Sequence, residues 1–215
     1  MTTTEGTPRR SRARRGEGEK LKETILEAAE EVLIETGDAE SVSVRAVAER
    51  VGVTPPSIYL HFTDKDELIF AVCEKQFAEF HRVMTDATDG ASDPLDALRR
   101  MGRAYVSFGL NNPEQYRIIF MGRTPLSVDE GHTERLLNNS GFSHLVDVVQ
   151  SCLDSGRFAP GNPMLIAIDL WVTVHGITSL FIAKPDFPWP DRTELVEHIL
   201  DTQLRGLRRE VESGE

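Results

Sequence analysis

Polar side chains that can bind phosphate groups recur between Ser43 and Lys65 of this 215-residue chain. Ser43 carries a hydroxyl, Arg45 a guanidinium and Tyr59 a phenol, and each of these groups donates hydrogen bonds to anionic oxygens. Lys65 adds an ammonium group where a helix is expected to begin, and a helix N-terminus itself attracts anions. These four residues are candidates for holding the backbone of a nucleic acid.

Side chains suited to reading base edges lie in the same stretch. Thr54 and Pro55 can touch thymine methyl groups, and Ser57 and His61 can exchange hydrogen bonds with bases. The candidate DNA contacts are therefore Ser43, Val44, Arg45, Thr54, Pro55, Ser57, Tyr59, His61 and Lys65.

The pattern around these residues predicts two short helices joined by a glycine turn. Ser43 can cap the first helix, and Gly52 stands where a left-handed backbone ends it at little cost. The buried face of this helix is expected to consist of Val44, Val47, Ala48 and Val51.

A second helix is expected to begin after Thr54, which can cap it, with Pro55 at its first position. Ile58 and Phe62 lie four residues apart and can both face inward. The two helices together have the architecture of a DNA-reading helix-turn-helix, although such pairs also occur as plain packing units.

Residues 41–65 read S-V-S-V-R-A-V-A-E-R-V-G-V-T-P-P-S-I-Y-L-H-F-T-D-K. This stretch resembles the N-terminal domain of the tetracycline-repressor (TetR) family of bacterial transcription regulators. The resemblance extends upstream through I-L-E-A-A at 25–29 and Gly37, and downstream through T-D-K-D-E-L at 63–68. It implies that the second helix enters the major groove of DNA. The chain departs from the family at Asp38, where an aromatic residue is usual, and at the Pro55-Pro56 pair.

The charge distribution is uneven. The net charge is −11 and the sequence pI is about 5.1, yet the first 22 residues carry seven basic and three acidic side chains. A disordered basic arm is therefore expected over residues 1–18. It either follows the backbone or minor groove of bound DNA or serves as a tail that increases solubility. Its DNA-binding candidates are Arg9, Arg10, Arg12, Arg14 and Arg15.

Helical periodicity continues almost throughout, without sustained alternation of apolar and polar residues. We therefore expect an all-α protein of about nine helices. A three-helix DNA-binding domain is expected over 19–65, and a larger helical domain for ligand binding and dimerisation over 66–215. The helix from about Asp64, after a cap at Thr63, would connect the two.

Two further motifs indicate the type of the second domain. Trp171, His175 and Gly176 read W-x-x-x-H-G, and residues 113–120 read P-E-Q-Y-R-I-I-F. Together they resemble the C-terminal domain called WHG in a subset of TetR-family proteins, which implies a small-molecule pocket among central helices. The pocket candidates, each of which can equally be an ordinary core residue, are Tyr105, Phe108, Tyr116, Phe120, Phe142, Trp171 and His175.

The segment from Leu165 to Ile182 is too apolar to have a wide solvent face. Such a helix lies in the core or against a partner, and a twofold dimer supplies a partner by symmetry. The last helix, with Leu195, Ile199, Leu200, Leu204 and Leu207, can complete a four-helix interface. A homodimer is therefore expected.

The leading hypothesis is a homodimeric repressor that binds double-stranded operator DNA and is released by an unknown small-molecule effector. A ligand-independent or activating DNA-binding regulator is the alternative. An enzyme is disfavoured because the six histidines show no metal-type spacing and no nucleophile or phosphate-loop motif is present, so neither a cofactor nor a metal is expected. A cytoplasmic location without membrane association is expected, since no run approaches roughly 18 apolar residues.

Overall fold

The computed structural model describes residues 16–122 and 141–208, and this part of the chain is helical without a strand. Its nine α-helices confirm the predicted all-α class. The helices are α1 (Glu17–Thr36), α2 (Val44–Val51), α3 (Pro55–Ile58), α4 (Lys65–Thr88), α5 (Pro94–Asn111), α6 (Pro113–Tyr116), α7 (Phe142–Asp154), α8 (Pro163–Ala183) and α9 (Arg192–Leu207). A 3-10 turn (Ala39–Ser41) precedes α2, and a π-helical segment (Arg117–Met121) continues α6.

The hydrophobic side chains form two separate cores. The first lies among α1, α2, α3 and the first half of α4, and its most deeply buried members include Ile25, Ala29, Val47 and Leu68. An ion pair on its surface joins Arg50 of α2 to two carboxylates of α1. This small unit contains the three expected N-terminal helices and extends into α4 as far as Cys73.

The second core is larger and is built from the second half of α4 together with α5 to α9. α5 runs through its centre and packs against α4, α7, α8 and α9. Gly109 of α5 allows the closest of these approaches, since a Cβ atom there would clash with the methyl group of Thr178 and lie 3.0 Å from Tyr116 Cδ2. Helices α5, α6 and α8 therefore meet at this glycine.

Helix α4 belongs to both cores. Leu68, Ile69 and Val72 lie in the first core, whereas Phe80 and Met84 lie in the second. The cap of α4 is Asp64 and not the predicted Thr63, because the Asp64 carboxylate accepts from Glu67 N–H at 2.8 Å, so the helix begins one residue later than expected. The Glu67 carboxylate in turn accepts from the N–H of Thr63, the residue before the cap, so the two contacts resemble a capping box displaced by one residue.

Helix α8 is long and apolar enough to cross a membrane by length and composition alone, with a mean hydropathy of 1.8 over its 18-residue window. Asp169, Thr173 and His175 interrupt its apolar residues, so this helix is not an uninterrupted apolar run of roughly 18 residues. One face of α8, including Ala167, Leu170 and Phe181, lies in the second core. Another face exposes Met164, Leu165, Ile168, Val172 and Leu180, which we call the α8 stripe.

Gly109→Ala is expected to lower the free energy of unfolding by about 1–3 kcal/mol, since the added methyl group overpacks the contact between α5 and α8. Gly206→Ala is the control, because its Cβ would meet no atom within 4 Å. Denaturant unfolding at matched protein concentration measures both variants. Equal stability of the two would contradict this account of the α5 packing.

Candidate nucleic-acid interface and aromatic cluster

The turn between α2 and α3 has the geometry that the sequence predicts. Gly52 adopts the left-handed conformation with φ 78° and ψ 30°, and its N–H donates to the carbonyls of Ala48 and Glu49. Val53 N–H closes the turn on Ala48 O at 2.9 Å. A side chain at position 52 would be strained in this conformation, so glycine fixes the path from one helix to the next.

Helix α3 is shorter than a usual reading helix. It ends at Ile58 and continues as hydrogen-bonded turns, in which Phe62 N–H donates to Ile58 O at 3.1 Å. Ile58 and Phe62 are both buried, as predicted. The stretch from Tyr59 to His61 is thereby held over the first core.

The predicted side-chain caps are absent at Ser43 and Thr54. Each residue occupies the N-cap position of its helix, but neither hydroxyl bonds a helix amide. Thr54 Oγ1 instead lies 3.1 Å from Ser57 Oγ. Both residues are exposed, so their hydroxyl groups and the first amides of α2 remain accessible to an external acceptor. Helix α3 offers no such amide, because Pro55 and Pro56 have no N–H and Ser57 N–H donates to Thr54 O at 2.8 Å.

The nine candidate DNA contacts lie on the α2, α3 and early α4 segments. Ser43, Arg45, Thr54 and Tyr59 are exposed, while Val44, Pro55, Ser57, His61 and Lys65 are partly buried.

Leu60 was missed by the sequence reasoning, although its side chain is 83% exposed between Tyr59, which is 52% exposed, and His61. An apolar side chain displayed this fully beyond Ile58 is suited to contacting thymine methyl groups. The signal that could have identified it is its position between two inward-facing residues, Ile58 and Phe62, on a helical face that cannot reach the core.

Lys65 has an additional role within the chain. Its Nζ donates to the carbonyls of Glu40 at 3.0 Å and Ala39 at 3.3 Å, which fastens the 3-10 turn to the start of α4. Its backbone N–H is one of the first amides of α4 and lies outside the helical hydrogen-bond ladder. Any phosphate contact at this position can therefore use the amide.

Lys22 is a second residue that the candidate set lacks. Its Nζ lies 5.7 Å from the ring centroid of Phe62, which brings a positive charge from α1 beside the end of the reading segment. The five arginines of the predicted arm, Arg9, Arg10, Arg12, Arg14 and Arg15, lie outside the described residues.

The seven pocket candidates meet in one aromatic cluster inside the second core. Trp171 Nε1 donates to Tyr105 OH at 3.2 Å, Tyr105 OH lies 3.2 Å from Tyr116 OH, and Tyr116 OH lies 2.7 Å from His175 Nδ1. Phe120 lies 5.0 Å from the ring of Tyr116 and 5.9 Å from that of His175. Phe142 contacts Trp171 with ring centroids 5.9 Å apart.

Phe80 of α4 also belongs to this cluster and was not predicted. Its ring makes edge contacts with Phe108 at 5.1 Å, with Phe120 at 5.1 Å and with Tyr105 at 5.3 Å. The helix that begins beside the candidate DNA contacts therefore ends among the aromatic residues.

Burial keeps the cluster uncharged. It raises the pKa of Tyr105 well above its ordinary value and that of Tyr116 to about 12, and it lowers the pKa of His175. At neutral pH the cluster therefore offers neutral hydroxyl, imidazole and indole groups within aromatic walls, an environment suited to an uncharged ligand with few polar atoms. No group of three potential metal-ligating residues forms within residues 16–122 and 141–208.

Two family models match the chain. The model of bacterial regulatory proteins of the tetR family matches residues 25–72, and the model of a tetracyclin repressor-like C-terminal domain matches residues 98–203. The first match covers most of the candidate interface, and the second covers most of the aromatic cluster.

Solved structures share the fold over most of the chain. A protein of unknown function from Rhodococcus sp. RHA1 is 25% identical with a TM-score of 0.74, covering 88% of this chain and 95% of its own. A putative tetR family transcription regulator from Shewanella sp. PV-4 is 16% identical with a TM-score of 0.71, covering 88% and 98%. The fatty acid degradation regulator FadR from Bacillus halodurans is 19% identical with a TM-score of 0.72, covering 87% and 97%.

The stability of the second core is expected to fall as pH decreases from 7.5 to 5.5. Burial lowers the pKa of His175, and burial together with the charge of His81 lowers that of His144. Since the unfolded chain binds protons near the ordinary pKa of 6.5, it holds more protons than the folded chain below that pH. Each histidine therefore contributes a slope of at most about 1.4 kcal/mol per pH unit.

Denaturant unfolding at pH 7.5, 6.5 and 5.5 measures this dependence. His175→Gln is expected to reduce the slope, because glutamine does not titrate, while His198→Gln at an exposed position is expected to retain it. A slope unchanged by His175→Gln would show that this imidazole protonates equally in both states.

Proposed function

The chain belongs to the TetR family of DNA-binding transcription regulators, which are not enzymes, and on that premise we propose that it is a homodimeric repressor released from a palindromic operator by a small-molecule ligand. Helix α4 is the observation that carries the proposal. Its 24 residues span about 36 Å, from the candidate DNA contacts to the aromatic cluster. A change at one end can therefore move the other.

In the proposed complex, the exposed residues at the starts of α2 and α3 bind one operator half-site per subunit. Ser43, Arg45, Tyr59 and the N-terminus of α4 bind phosphates, while Thr54, Pro55, Ser57 and His61 face bases, with Leu60 added to them. We propose the division into an arm over 1–18, a DNA-binding domain over 19–65 and a regulatory domain over 66–215. Half-sites would be about 34–36 Å apart or a multiple of this.

The α8 stripe supports the proposed homodimer. Its five exposed apolar residues recur along one face of a 21-residue helix, with Gly176 between Val172 and Leu180. Exposed apolar patches of this kind mark interaction surfaces. A second copy related by a twofold axis would bring two such stripes together, because the same surface occurs on both subunits.

The aromatic cluster supports the proposed ligand control. The W-x-x-x-H-G motif contributes Trp171 and His175 to it, and assignment to the WHG subtype remains our proposal. A ligand that displaced Phe120 or Tyr105 would press on Phe80 and so on α4. The expected coupling between ligand and operator is about 1–3 kcal/mol, as is typical of such linkage.

We propose a cytoplasmic location without membrane insertion. A DNA-binding regulator acts where operator DNA is present. In addition, one third of the apolar 18-residue window of α8 is already buried within the chain. The remaining apolar surface is accounted for by the proposed dimer.

The repressor hypothesis is tested with genomic fragments selected by the purified protein. A fragment placed before a reporter gene is expected to lower reporter output when the protein is present, and a compound found by screening for release of the fragment should restore it. Tyr116→Phe is expected to keep operator affinity while requiring roughly fivefold more compound, since one hydrogen bond contributes about 1 kcal/mol. Higher reporter output with the protein present would identify an activator instead.

A pair of substitutions separates dimerisation from DNA binding. Val172→Glu would bury a carboxylate in the proposed interface at a cost of at least about 2 kcal/mol per subunit, or about 4 kcal/mol per dimer, weakening the dimer roughly 700-fold or more. Arg45→Ala is expected to leave the dimer intact, weaken binding to all DNA sequences and reduce the salt slope by about 1 per subunit.

Sedimentation equilibrium and operator titrations at several salt concentrations measure these effects. Each variant serves as the control for the other. A Val172→Glu protein that remains dimeric excludes the α8 stripe as the interface, and an unchanged salt slope for Arg45→Ala removes that residue from the phosphate contacts.

A further inference from the structure

A cavity of about 290 Å³ lies between the two cores, apart from the aromatic cluster. Leu33 and Ile34 of α1 and Ile69 of α4 form one wall, and Ile118 and Met121 of the π-helical segment form the other. Its volume is close to the lower limit of about 300 Å³ for common ligand pockets. The cavity therefore suits a molecule of fragment size.

The two walls belong to different functional parts of the chain. The first wall is part of the DNA-binding core, whereas the π-helical segment follows α6 of the regulatory core. Ile118 packs against both cores, and its neighbour Phe120 lies in the aromatic cluster. A molecule between the walls would thus contact both parts at once.

The lining points to an uncharged occupant. The charged residues at the cavity are Glu114 and Arg117, and these form an ion pair with each other. Their charges cancel, so an anion would have to displace the carboxylate and a cation the guanidinium. The remaining lining is predominantly aliphatic, together with the Cys73 side chain and glycine backbone.

We propose that this junction cavity binds a small, uncharged and mainly apolar molecule and that its occupancy changes operator affinity. The proposal rests on the proposed function for its regulatory part. A ligand that contacts both walls favours the domain arrangement in which the walls have the spacing seen in the structure. It therefore shifts the population of domain orientations. None of the seven predicted pocket residues lines this cavity, so the ligand would act at a site separate from the predicted pocket.

Three probes with the same ring system test the binding: 1-naphthol is neutral, 1-naphthoate is an anion and 1-naphthylmethylammonium is a cation. Calorimetric titration is expected to give 1-naphthol a dissociation constant on the order of 100 μM, given its small number of heavy atoms. The charged probes should bind at least tenfold more weakly. Absence of 1-naphthol binding, or tighter binding of either charged probe, overturns the proposal.

The location is tested by filling the cavity. Met121→Trp and Ile34→Trp place a large ring at partly exposed lining positions, so each is expected to weaken 1-naphthol binding at least tenfold. Gln115→Trp is the matched control, since it adds the same ring to α6 outside the lining. Equal binding by all three variants would place the probe elsewhere and refute the site.

Methyl spectra of the isoleucine-labelled wild-type dimer give the location independently of any variant's stability. Ile34, Ile69 and Ile118 are expected to shift on addition of 1-naphthol, whereas Ile25 and Ile177 in the separate cores are expected to stay. Shifts confined to Ile177 would place the probe in the second core and refute the junction site.

Operator titrations test the regulatory part. Saturating 1-naphthol and the Met121→Trp substitution are expected to change operator affinity in the same direction by at least about fivefold, because both fill the same space. Opposite or absent effects refute regulation from this cavity. Failure of the wild-type protein to bind any DNA fragment would instead refute the proposed function and leave the binding measurements valid.

Discussion

Helix α4 must bury one end in each of two cores, and most of the architecture depends on that constraint. Its first turns carry Leu68, Ile69 and Val72 into the DNA-binding core, and its later turns carry Phe80 and Met84 into the regulatory core. Because the two apolar surfaces lie on one rigid rod, neither core can rotate without moving the other or bending the helix. The N-terminus of α4 is held by the hydrogen bonds between Asp64 and Glu67 and by the contacts of Lys65 with the 3-10 turn.

Much of the fold follows from short-range patterns, whereas the site geometry depends on contacts between distant residues. The glycine turn at Gly52 and the inward Ile58 and Phe62 were predicted because their periodicity is local. The caps at Ser43 and Thr54 were wrong, since a cap also depends on the side-chain rotamer, and Thr54 bonds Ser57 instead. Phe80 and the junction cavity could not be predicted, because their neighbours come from segments far apart in sequence.

The acidic net charge is compatible with DNA binding because part of the acidic charge of the DNA-binding core is paired within the chain. Glu31 and Glu35 of α1 pair with Arg50, on the side of α2 that faces α1. Arg45 remains exposed at the start of α2, and Lys22 lies beside Phe62. With few donors on α3 and with Leu60 displayed beyond it, base readout in the proposed complex would rely on apolar contacts and on DNA shape more than on bidentate hydrogen bonds.

The hydrogen bonds of the aromatic cluster run in one direction, and that direction follows from which groups can donate. The indole N–H of Trp171 can only donate, so Tyr105 accepts from it and has its own proton available for Tyr116. Tyr116 can then donate to His175 Nδ1, which is an acceptor only while the imidazole is neutral. The lowered pKa of His175 thus matches its place at the end of the chain. A ligand that accepted the hydrogen bond of Tyr116 would leave the imidazole without this donor. The resulting cost would be shared among α5, α6 and α8, the helices that carry Tyr105, Tyr116 and His175.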